Sequence, residues 1–331
     1  GSIVVKGEII TQNGDISVAA ASEKYDPNAT VDNIAFASNG KLTSGRHAYL
    51  IATNGDMVVT DVVTAKGTFY AQTKGQGNIA LGKDLTVTND LSISTEIGDI
   101  SIGKTVTAEK GSVEMQAGTG TVLVGQDITA KENVSITTHK GHVGVGDLTT
   151  GEGDVLSKNG NVTIRTDAGT IGIVKTVKAD EGSVGITSGK GEILIGSNGS
   201  TVKTVTAKQN VNVETDLGTI TIQGKTSTDN GDITMKAGKD KYEPGLNTGN
   251  FIIEADGEVD SGGAVTLNGR NGDIHITDDI KAKKGINANI KEEGSVYFDR
   301  DVTVTNDVNI ASDEGNIAVG KTITTTDGSV N

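Results

Sequence analysis

GDISIGKTVTAEKGSVEMQAGT, from Gly98 to Thr119, contains three short alternating runs: Asp99 to Ile102, Thr105 to Ala108 and Ser112 to Met115. Gly or a charged pair such as Glu109-Lys110 separates each run from the next. A period of two marks a strand with one buried and one wet face. It turns Ile100, Ile102, Val106, Val113 and Met115 inward, and Ser101, Thr105, Thr107 and Glu114 outward. Strands this short cannot bury an apolar face alone. The unit must stack on copies of itself.

The copies are present. Runs of the same kind open at Gly1, Gly55, Gly77, Gly98, Gly120, Gly141, Gly169, Gly191, Gly218, Gly249, Gly272, Gly294 and Gly315, and one lacking the glycine begins near Asp32 with Asn33-Ile-Ala-Phe36. Most openings lie 21 to 23 residues apart, and the longer intervals read as a regular rung plus a loop. About fourteen rungs of about 22 residues, with three short strands each, predict an all-β parallel β-helix. Right-handed coiling is taken by analogy with large three-faced helices. Corners such as Asn54-Gly55, Asn159-Gly160 and Asn271-Gly272 suit positive φ.

Composition agrees. The 331 residues include 46 glycines, two prolines, no cysteine, no tryptophan and only nine Phe plus Tyr. Small aliphatic side chains suit a narrow interior, and Val, Ile, Thr and Ser favour strand. No stretch reads as a transmembrane helix or as a signal peptide. The net charge of −14 argues against nucleic-acid and anionic-membrane partners.

A longer period overlies the rungs. Glu23-Lys-Tyr-Asp-Pro27 matches Asp240-Lys-Tyr-Glu-Pro244, and 242 minus 25 gives an offset of 217. That offset aligns Gly1 to Val113 with Gly218 to Val330 without a gap, with about a third of positions identical. The chain therefore divides into a first block, 1–217, of about ten rungs and a partial second block, 218–331, continuous with it. Asn331 falls inside a rung, which leads us to expect further copies in a longer array or end-to-end stacking.

Rungs such as GDISIGKTVTAEKGSVEMQ from Gly98 and GTVLVGQDITAKENVSI from Gly120 resemble the repeats of filamentous haemagglutinin-like exoproteins. These are large two-partner-secreted adhesins of bacteria with an outer membrane. The resemblance implies a right-handed β-helix, a secreted or cell-surface location, and a structural or adhesive role.

Parallel β-helices also host polysaccharide-processing enzymes, whose sites gather Asp with Arg or Lys across neighbouring rungs. Asp278, Asp279, Asp256 and Arg270 are the candidates here, but the 217-residue offset sets Asp279 against Val62 and Arg270 against Thr53. Solvated strand ends account for them, so the chain reads as a non-enzyme without catalytic residues. His139-Lys-Gly-His142 lacks accompanying carboxylate or cysteine ligands at metal spacing. Calcium is the one cofactor the Asp- and Asn-rich corners suggest, but the calcium β-roll signature is missing. No metal site or cofactor is expected. An outward threonine column (Thr64, Thr86, Thr107, Thr129, Thr206, Thr303, Thr324) would suit ice binding, but Lys178 and Lys281 interrupt it and threonine favours strands regardless.

Both prolines sit in paired loops. Tyr25, Asp26 and Pro27, with Tyr242, Glu243 and Pro244, each place an aromatic, an acid and a rigid turn on one edge. Protruding loops on a rigid scaffold often carry binding. Covering the scaffold's side and stiffening an insert is the plainer account. The binding reading makes these six residues a contact site for a neighbouring fibre or a glycan. The expected partners are other copies of the repeat and a cell-surface glycan or protein.

Overall fold

The computed structural model describes residues 2–20, 34–196, 204–238 and 253–331. The Tyr25 and Tyr242 loops lie outside them. Every element is a strand, and the described residues contain no helix. The chain is a parallel β-solenoid.

The quoted stretch shows how one turn is made. Ile100–Ile102 lies on a first face, Val106–Ala108 on a second and Val113–Thr119 on a third, after which Val122–Val124 returns to the first. Each strand pairs in parallel with its counterpart one turn along: Ile100 with Val122, Ile102 with Val124, Val106 with Ile128 and Met115 with Ile136. Ile100, Ile102, Val106, Val113 and Met115 are all fully buried. The alternation read from the sequence thus becomes three walls around an aliphatic interior.

Two compact units divide the chain, Gly1–Asn159 and Gly160–Asn331. In the first, first-face strands run from Ile3–Val5 to Val143–Val145; in the second, from Ile171–Ile173 to Ile317–Val319. Each unit has seven such strands among the described residues. This division rests on packing and is separate from the 217/218 boundary, which is a matter of sequence offset.

Turn chemistry nevertheless repeats at that offset. In the first unit Thr11 Oγ1 donates to Gly14 O (2.6 Å) and Ser44 Oγ to Gly14 O (3.1 Å), while Asp15 Oδ1 accepts from His47 N (3.0 Å). In the second, Thr228 Oγ1 donates to Gly231 O (2.6 Å) and Ser261 Oγ to Gly231 O (3.0 Å), while Asp232 Oδ1 accepts from Ala264 N (2.8 Å).

One register recurs in both blocks. Phe36 and Ser38 pair with Ile3 and Val5, and Ile253 and Ala255 pair with Ile220 and Ile222. The strand is placed by the corner that follows it. Gly40 packs against the Gly7 backbone and Gly257 against that of Gly224, too closely for any Cβ. Register is counted back from that corner.

A column of glycines follows the corner between third and first faces. Gly120 has φ +157°, and a Cβ there would enter the van der Waals envelope of Gly98 O. Gly294, at φ +150°, is held the same way against Gly272 O. Here both the dihedral and the rung-to-rung approach demand glycine. Gly185, on an outward third-face position, has open space around it.

Gly294→Ala is therefore expected to cost more than about 2 kcal/mol in urea unfolding, whereas Gly185→Ala is neutral or stabilising by up to about 1 kcal/mol. Ile100→Ala should cost about 2–5 kcal/mol through the cavity it leaves. Equal effects at the two glycines would refute the stacked-corner account.

Candidate functional site

Parallel stacking leaves each corner with backbone N–H groups that the sheets do not use. Corner Asp and Asn side chains accept from them one turn along. Asp56 Oδ1 accepts from Asn78 N (2.7 Å), Asn78 Oδ1 from Asp99 N (2.8 Å) and Asp99 Oδ1 from Thr121 N (2.7 Å). A second ladder joins Asn161 to Ser183 N (2.8 Å), Ser183 Oγ to Asn210 N (3.2 Å) and Asn210 Oδ1 to Asp232 N (2.9 Å). The residues that raised the question of calcium thus hold rungs together. No group of three or more His, Asp or Glu among the described residues is placed to hold a metal ion.

The acidic candidates are likewise engaged singly. Asp278 Oδ1 accepts from Asp279 N (2.8 Å), Asp279 Oδ1 from Asp301 N (3.2 Å), and Asp256 Oδ1 from Thr277 Oγ1 (2.9 Å). Arg270 pairs with Glu292 (2.8 Å). The structure does not draw these four residues into one cluster. His275 Nε2 lies 3.0 Å from Asp299 Oδ2 and packs edge-on against Tyr297.

The second face carries the threonines. Thr43, Thr64, Thr86, Thr107 and Thr129 stand in register in the first unit until Leu156 ends the column. In the second unit the run Thr206, Ser227, Asp260, Lys281, Thr303 and Thr324 is broken by charge. There Lys225 bridges Glu258 (2.9 Å) and Asp260 (3.1 Å), and Lys281 bonds the other oxygen of Glu258. Hydrogen bonds from Lys281 and then Lys225 hold the Glu258 carboxyl below its ordinary range, and Glu258 in turn raises both ammonium groups.

The third face of the first unit bears a feature the sequence reading passed over. Tyr49 and Tyr70 are outward neighbours in adjacent turns, and Tyr49 stacks at a tilt on His47, 6.0 Å between centroids. Their spacing of 21 residues, one turn, was the available signal. Two residues past Tyr70 an open groove of about 480 Å³ begins. Its upper rank is Gln72, Ser94 and Gln116, in register. Lys74, Glu96, Gly118 and His139 complete the lining.

The groove coincides with a bulge. Thr95 Oγ1 donates to Gly98 O (2.7 Å) and Thr138 Oγ1 to Gly141 O (3.0 Å), closing equivalent corners. Between Thr73 and Gly77 there is one residue more, and the pairing with the next strand shifts there. The buried Thr73 hydroxyl consequently has no hydrogen-bond partner.

No family model matches the chain, and no curated protein or solved structure is significantly similar to it.

A Glu258→Gln variant should lose stability by no more than about 1 kcal/mol at neutral pH, because the cluster is half open to solvent. A lowered folded-state pKa means that this contribution is present above the ordinary carboxylate range and lost as pH falls through the folded value. The raised lysines contribute below the ordinary ammonium range and lose their share as pH rises through theirs. Thermal midpoints of wild type and variant should thus converge in acid; a gap that widens there would contradict the pairing.

Proposed function

We propose that this chain is a segment of a secreted or cell-surface bacterial fibre, in which the solenoid serves as a stiff spacer and a repeating display surface. The observation that carries this reading is that polar side chains at the corners are spent on joining each turn to the next, as in the Asp56–Asn78–Asp99 ladder. The likeness of the rungs to filamentous haemagglutinin-like repeats supports the same reading. No helix among the described residues is long and apolar enough to cross a membrane.

Its partners in this proposal are rungs of the same kind and a surface glycan or protein.

Immunogold labelling of producing cells with antibody against the chain tests the location: label on surface fibres is expected, and label confined to the cell interior would overturn the proposal. Release of reducing ends from polysaccharides by the purified chain would favour the enzyme instead. The joint substitution Tyr25→Ser and Tyr242→Ser should lower adhesion to cells at least about fivefold if the paired loops make the contact, since aromatic anchors dominate interfaces. Unchanged adhesion would remove the loops from the site.

A further inference from the structure

The groove on the third face has the makings of a carbohydrate site. From its geometry we propose that it binds a segment of an uncharged oligosaccharide, with Tyr70 as the stacking platform and Gln72, Ser94 and Gln116 as hydroxyl-binding groups. The proposal names a ligand class for the display surface and so rests on the adhesive reading above, though its chemistry is local to this groove.

Two observations point the same way. Tyr70 and Gln72 are alternate residues of one strand, half-buried and turned outward, so their Cα atoms stand about 7 Å apart along the face. A pyranose presents an apolar face of C–H groups beside a rim of hydroxyls. An aromatic face flanked by amides matches that pairing, because a tyrosine offers apolar area and an amide offers both a donor and an acceptor. Next, Gln72, Ser94 and Gln116 repeat at the turn spacing of about 4.8 Å, giving a ladder of hydrogen-bonding groups across three turns.

Charge selects against other ligands. Lys74 and Glu96 face the groove together, so it carries no field of one sign to draw in a phosphate or a sulfated chain. Its lining residues are polar apart from Gly118, unlike an apolar cleft for a peptide helix or lipid. An uncharged polyhydroxylated ligand is what remains in keeping with these groups.

The experiment uses the whole chain on an array of neutral oligosaccharides with gluco-, galacto-, manno- and N-acetylhexosamine backbones, followed by titration of the best ligand. Binding with a Kd on the order of 1 mM per segment is expected of so open a site. Tyr70→Ser should weaken it about tenfold. Ser94→Trp, which fills the middle of the groove from an outward position, should abolish it, while Lys104→Ala, outside the groove's lining, leaves it within about twofold; circular dichroism should be unchanged in all three. Absence of binding to any neutral oligosaccharide, or equal binding by Ser94→Trp, would overturn the proposal. So would binding restricted to anionic glycans and lost in salt. If the array is negative while the chain still labels surface fibres and adheres to cells, only the groove falls; if labelling is confined to the cell interior, the fibre reading falls with the array result still standing.

Discussion

Each turn of this protein must lie directly on the next at the spacing of paired strands, about 4.8 Å. A position in one turn is therefore in contact with the same position above and below, so each residue type must be compatible with its own neighbours in the column. Aliphatic side chains satisfy this by stacking, as Ile79, Ile100 and Val122 do. Glycine satisfies it where backbone approaches backbone, as Gly120 does over Gly98. Asp and Asn satisfy it when each accepts from the N–H above, which turns a potential column of repelling charges into a chain of hydrogen bonds.

The same rule makes the interior tolerant of local change. Phe69 sits over Ala48 on one side and Leu91 on the other, so a ring finds room where its neighbour is small. Thr95 and Thr138 face inward at a corner and are bonded to a glycine carbonyl, which removes the desolvation cost of a buried hydroxyl. Where one residue is added, at Thr73 to Gly77, the register survives but the hydroxyl is orphaned. A single insertion thus produces a local surface without disturbing the stack.

Function on such a scaffold is confined to outward side chains and loops, because inward and corner positions are occupied with holding the turns together. The acidic candidates drawn from the sequence illustrate this: Asp279 and Asp256 are engaged in bonds between turns, and Arg270 is paired with Glu292. Tyr49, Tyr70 and Gln72 are turned outward, away from that stack.

The solenoid, its period and the inward set around Ile100 were all legible in the sequence, because a period of two and a recurrence of about 22 residues survive any rearrangement of loops. The repeated turn chemistry at Thr11 and Thr228 was legible for the same reason, as an identical offset. The register of Phe36 and Ile253 was not: it depends on which corner glycine meets which backbone, a contact between residues more than 30 positions apart. Nor could the sequence alone reveal the groove, since its lining residues come from successive turns, beside a bulge that shows only when the strands are paired. Spacing along the chain decided what stacks; the stacking itself decided which hydroxyl was left without a partner.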